Sequence, residues 1–172
     1  MSTPEPLTVV LVGPMGAGKT SIGRKVAKKL GVAFIDTDKR IASEHGPIPA
    51  LFAARGEAHF RELERAAAAQ ALAEGGVISL GGGAVTSAQT RELLRQHPVV
   101  FLMVSSDAVA DRIRSGNRPL LAGDEDPVTG WKRIYEQRRD WYEEVATVTV
   151  DTSRRPMYRI AEEVATWRRK LT

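Results

Sequence analysis

Gly13-Pro14-Met15-Gly16-Ala17-Gly18-Lys19-Thr20 follows the apolar run at residues 7–12 and precedes a helix-period stretch at 20–30. The string fits G-x-x-x-x-G-K-[ST], and its setting decides the fold. A buried strand delivers the chain to a glycine loop whose N–H groups can point inward, and the helix that follows adds its positive N-terminal end. Glycines leave room for phosphate oxygens and allow positive φ. Lys19 is then placed to reach the β- and γ-phosphates and the Thr20 hydroxyl to face Mg²⁺. The stretch predicts a P-loop that binds a nucleoside triphosphate.

Outward from the loop, apolar runs at 33–35, 77–80, 99–104 and 147–150 alternate with helix-period stretches. The helical stretches are 39–74, interrupted at Gly46-Pro47 and near Gly56, then 87–96, 107–115, 131–144 and 157–171. Strand–helix alternation predicts an α/β fold, a five-stranded parallel sheet flanked by helices. Thr86 and Gln89 suggest a capping box, Pro98 a helix stop and Pro156 a helix first turn. The irregular stretch 116–127 is expected to form a mobile lid.

The 172 residues suit one domain with a full core. No apolar run is long enough to span a bilayer. The polar, proline-containing stretch 1–6 lacks the apolar centre of a signal peptide, so cytoplasmic residence is expected. The chain has no cysteine, which removes disulfides and thiol chemistry together. The net charge of +4 could serve nucleic acid, but no aromatic-basic segment or finger spacing supports that. His45, His59 and His97 form no metal-ligand spacing, and Trp131, Trp141 and Trp167 read as packing residues. A monomer is expected.

Further chemistry gathers at predicted strand ends. Asp36-Thr37-Asp38 follows the second strand, where ligands of open parallel sheets bind. One carboxylate would hold Mg²⁺ through water, and the other would meet an acceptor hydroxyl. Arg61 and Glu64 share a helix face at i, i+3, so the carboxylate can steady the guanidinium. Gly81-Gly82-Gly83 ends the third strand and suggests a close backbone approach to a ligand. Arg118, in Arg118-Pro119-Leu120-Leu121, lies in the expected lid and could swing over the phosphates.

Together these marks resemble the shikimate kinase family, from residue 7 to about 156. The resemblance rests on Gly13–Thr20, Asp36-x-Asp38, Phe60-Arg61-x-x-Glu64, Gly81–Gly83, Arg118-Pro119-Leu120-Leu121 and Arg138 four residues before Tyr142. It implies a P-loop NTPase of the nucleoside monophosphate kinase type that transfers the γ-phosphoryl of ATP to the 3-hydroxyl of shikimate. By this resemblance Gly13, Met15, Gly16, Ala17, Gly18, Lys19, Thr20 and Ser21 hold ATP. Arg112 and Arg155-Pro156 would sandwich adenine, and Thr20 and Asp36, the latter through water, would position Mg²⁺. Asp38, Arg61, Gly81, Gly82, Gly83 and Arg138 would bind shikimate, within a helical segment at about 36–64 and around the glycines. Lys19, Asp38 and Arg118 carry the implied catalytic roles. Asp140 departs from the family, whose members often carry proline there. Rivals are a gluconate kinase, a nucleotide kinase and a non-catalytic nucleotide-binding module. The glycine triplet and the Arg-Pro-Leu-Leu stretch favour shikimate.

Overall fold

A computed structural model describes residues 7–115 and 125–171. Five strands, β1 (Thr8–Val12), β2 (Phe34–Asp36), β3 (Gly76–Ser79), β4 (Val99–Met103) and β5 (Val148–Asp151), form one sheet in the order β2-β3-β1-β4-β5. Every pairing is parallel, as predicted. The central strands β1, β3 and β4 are buried almost throughout because both of their faces are covered, whereas the edge strand β5 exposes Thr149 and Asp151. Val9 and Leu11 pack on one face with Ile22 and Val26 of α1 (Lys19–Leu30), Val109 of α5 (Ser106–Ser115) and Ile160 of α7 (Met157–Lys170). Val10 and Val12 pack on the other with Ala68 and Ala71 of α3 (Ile48–Glu74) and Leu94 of α4 (Ala88–Leu94). β1 sits between β3 and β4, and the chain crosses it to build the second half of the sheet, so the loop after β1 lies at the switch point where such sheets bind ligands.

The remaining helices are α2 (Thr37–His45) and α6 (Pro127–Val145). α2 stops at Gly46, α3 starts at Ile48, and Gly56 breaks α3 with non-helical angles, so both expected interruptions are present. Three helix starts differ from the expectation. The cap of α4 is Ser87, whose hydroxyl accepts from the Thr90 N–H, and not Thr86, which lies in a one-turn 3-10 helix at Ala84–Thr86. α2 begins at Thr37 because the Asp36 carboxylate caps it, accepting from the Lys39 N–H. α6 begins at Pro127, four residues before the expected start, with Asp126 accepting from the Thr129 N–H. It continues through Asp140 without a break. Residues 116–124, which include Arg118 and most of the expected lid, lie outside the described residues.

Candidate active site

The P-loop joins β1 to α1 and turns on glycines that no other residue could replace cheaply. Gly18, which precedes α1, has φ 92°, and a Cβ on Gly13 would run into the Leu102 carbonyl of β4. Lys19 Nζ donates to the carbonyls of Gly13 (2.7 Å) and Pro14 (3.0 Å), which lays the ammonium along the loop. The Thr20 hydroxyl donates to Asp36 Oδ2 at 2.9 Å, bringing together the two groups expected to position a cation. A cavity of about 340 Å³ is lined here by Gly16, Gly18, Lys19, Thr20, Ser21, Asp36, Asp38 and Gly82.

A second cavity of about 340 Å³ opens beside it, lined by Asp38, Phe60, Arg61, Glu64, Gly82, Gly83 and Arg138. Met15, Asp38 and Gly82 border both cavities, so a group in one can meet a group in the other across Asp38. Thr37 sets this junction. Its buried hydroxyl donates to the Ser79 carbonyl and accepts from the Gly81 N–H, each at 3.3 Å, tying the start of α2 to the end of β3. Gly81 and Gly83 leave room for neighbouring side chains, and neither has a positive φ. A Cβ on Gly81 would fall 2.5 Å from Asp38 Oδ1 and 2.8 Å from Glu64 Oε2, and one on Gly83 would overlap the Arg61 guanidinium.

Two arginines and two carboxylates meet in this second cavity. Arg61 donates to Glu64 at 2.8 Å and to Glu57 at 3.1 Å. Burial pulls the Arg61 pKa down, but Glu64 and Glu57 outweigh it and leave it above the ordinary value. Glu64 is 3% exposed, and burial lifts its pKa to about 7 against the pull of Arg61, with Asp38 adding to the rise and Arg138 opposing it. Arg138 is itself 7% exposed. It is placed by Tyr142, one helical turn on, whose hydroxyl also donates to the Gly82 carbonyl at 2.5 Å. Burial, partly offset by Arg138, pushes the Tyr142 phenol up to about 12, so it stays a donor throughout the physiological range.

The expected adenine contacts are less tightly assembled. Arg112 Nη1 donates to the Gly16 carbonyl at 2.7 Å, which puts it against the P-loop. Arg155 is exposed, donating to the Asp151 carbonyl at 3.0 Å and pairing with Glu163, and Pro156 immediately precedes α7. The Met157 side chain would lie 3.3 Å from a Cβ on Gly18, so the start of α7 borders the loop. Three residues near the site escaped the sequence reading as functional. They are Thr37, Tyr142 as a hydroxyl donor, and Trp131, whose indole N–H donates to the Met15 carbonyl at 2.8 Å. Thr37 lies between two carboxylates already singled out and Tyr142 four residues after Arg138, whereas nothing in the sequence marks Trp131.

The family model described as shikimate kinase matches residues 15–168. The chain belongs to the shikimate kinase family. A curated shikimate kinase of Salinispora tropica is 50% identical over 159 residues, covering 91% of this chain and 94% of that one. The structure of the shikimate kinase of Acinetobacter baumannii in complex with shikimate superposes with a TM-score of 0.90 at 34% identity, over 98% of this chain and 96% of that one. A gluconokinase of Sinorhizobium meliloti has a TM-score of 0.62 at 24% identity over 96% and 93% of the two chains, which shows the shared fold alone. As a member of the shikimate kinase family, the chain is an ATP-using small-molecule kinase with the nucleoside monophosphate kinase-type P-loop fold. Among its described residues no helix is long and apolar enough to cross a membrane.

Proposed function

We propose that this chain transfers the γ-phosphoryl group of ATP to the 3-hydroxyl of shikimate, giving shikimate 3-phosphate and ADP. The observation that carries the reading is the junction at Asp38, where a P-loop cavity meets one built around two arginines. Arg61 and Arg138 suit a carboxylate through forked, charge-assisted hydrogen bonds. Asp38 and the backbone of Gly81, Gly82 and Gly83 orient ring hydroxyls, and Asp38 accepts the hydrogen bond of the attacking one. Loop residues Gly13 to Ser21 cradle the phosphates, and Arg112 with Arg155-Pro156 flank adenine. Lys19, with Arg118 by family resemblance, stabilises charge on the transferring group.

The Thr20 hydroxyl and Asp36 carboxylate, 2.9 Å apart, are hard oxygen donors that fit Mg²⁺. Bound there, the ion would neutralise phosphate charge, with Asp36 holding it through water. Positioning does most of the remaining catalysis. One catalytic unit spans the chain, with residues 36–64 holding the acid.

Coupled ADP release with Mg-ATP tests the proposal, with shikimate, gluconate and nucleoside monophosphates compared as acceptors. Turnover with shikimate and not the others is expected. Turnover with gluconate instead would reassign the acceptor while keeping the kinase, and nucleotide binding with no turnover on any acceptor would favour a binding module.

A further inference from the structure

Four consecutive carbonyls of the P-loop, those of residues 13 to 16, are each held by a side chain. Lys19 takes Gly13 and Pro14, and Arg112 takes Gly16. The Met15 carbonyl is held by Trp131, a residue of α6 more than a hundred positions away in the chain. We propose that Trp131 is a positioning residue for the nucleotide, acting through the Met15–Gly16 peptide. In a trans peptide the N–H points opposite to the C=O, and among the described residues no peptide bond is cis. Fixing the Met15 carbonyl on the indole therefore turns the Gly16 N–H the other way, at a residue that lines the P-loop cavity.

The donor is held firmly. Trp131 is 2% exposed, and its ring stacks on Tyr135 at 5.2 Å and 14°. It lies in the second turn of α6, whose start is fixed by Pro127 and the Asp126 cap. α6 packs its first half, Trp131 and Ile134, into the core beneath α1 and α7, and its second half, Tyr142 and Val145, into the core on the other face of the sheet. One helix thus fastens Met15 at one end and Gly82 at the other. The role is more than volume filling, because a buried indole N–H with a single carbonyl partner makes a directional contact that a phenyl ring cannot supply.

The inference rests on reading the P-loop cavity as the nucleotide site, and the Trp131→Phe enzyme tests it. The phenyl ring keeps most of the packing and removes the donor. Expected are a rise of about five- to tenfold in KM for ATP and in the Kd for ADP by calorimetry, with KM for shikimate within about twofold of wild type. Unchanged nucleotide constants in the folded variant, or a parallel rise in both KM values, would overturn the proposal. A wild-type measurement covers a variant that fails to fold. With indole ¹⁵N signals assigned through Trp141→Phe and Trp167→Phe, the Trp131 N–H should shift on adding ADP and not on adding shikimate. A Trp131 signal indifferent to bound ADP would refute the role while leaving the nucleotide site standing. ADP that fails to bind the wild-type enzyme at all would sink both readings.

Discussion

Replacing Gly81 with alanine adds one methyl group at the point where two carboxylates converge. The new Cβ would lie 2.5 Å and 2.9 Å from the oxygens of Asp38 and 2.8 Å from Glu64 Oε2, where ordinary contacts begin near 3.4 Å. The backbone has little freedom to retreat, because the Gly81 N–H is held by Thr37 and its carbonyl accepts from the Ala84 N–H at 3.0 Å. Glu64 is fastened to Arg61. The adjustment therefore falls mainly on Asp38, whose carboxylate must withdraw by roughly 0.9 Å to restore an ordinary contact. A misplacement of about 1 Å in a reacting geometry costs about a hundredfold, or about 2.7 kcal/mol of transition-state stabilisation. Gly81→Ala should accordingly lower kcat about a hundredfold in coupled ADP release, with KM for ATP nearly unchanged because the P-loop is untouched. A folded variant with kcat within threefold of wild type would refute the argument that glycine is needed here for the placement of Asp38.

Lys19→Ala and Asp38→Asn should each nearly abolish turnover while leaving the melting temperature within a few degrees, measured by steady-state kinetics and thermal unfolding. Arg138→Lys should chiefly raise KM for shikimate, since a lysine cannot reproduce the forked contact, and titrating each substrate in turn separates this from a loss in kcat. Glu64 gives a pH test of stability. Its folded pKa of about 7 exceeds the ordinary 4.5, so the folded state holds the proton more tightly. That advantage is complete below about pH 4.5 and lost as pH rises through about 7, for a total of roughly 3 kcal/mol. Denaturant titrations should show Glu64→Gln gaining on wild type between pH 5 and 8, and a pH-independent difference would count against the buried, raised carboxyl.

The parts legible in the sequence were those whose signal is local or periodic. Strands buried on both faces appear as apolar runs, and the string from Gly13 to Thr20 carries its own geometry. Gly46-Pro47 and Gly56 mark helix breaks by backbone preference alone. Helix starts were missed where two capping residues stood side by side. Thr86 and Ser87 are equal by composition, and only the 3-10 turn ahead of α4 decides for Ser87. At α6, Asp126-Pro127 is itself a start signal, masked by reading the irregular stretch through to Pro127. Arg61 and Glu64 could be paired by their spacing, but the sequence does not say that Glu64 is buried or that Asp38 lies beside it. Trp131 left no trace because its partner is a main-chain carbonyl, and carbonyls are the same in every sequence.

The charge balance of the second cavity explains why a buried glutamate survives there. Asp38, Glu64, Arg61 and Arg138 are two carboxylates and two guanidiniums, and on the proposed function a substrate carboxylate would be drawn into that set. If Glu64 were absent, Arg61 would keep only the exposed Glu57, and its guanidinium would have several rotamers to choose among. With Glu64 fixed beneath it, one Nη faces a buried anion while stacking near the Phe60 ring limits the swing of the head. The cost is the desolvation that lifts the Glu64 pKa. On the proposed function the gain would be an arginine already oriented before the acid arrives, so that less side-chain entropy is lost on binding. Arg138 obtains the same preorganisation differently, from a Tyr142 hydroxyl that also fixes Gly82. Tyr142 is neutral and the pull of Arg138 on Glu64 is weaker than that of Arg61, so on the proposed function Arg138 would bring more of its positive charge to the acid. The two arginines are therefore not equivalent. On the proposed function Arg61 would be mainly a geometric guide and Arg138 would supply more of the attraction, and for that reason the Arg138→Lys change should appear first in KM.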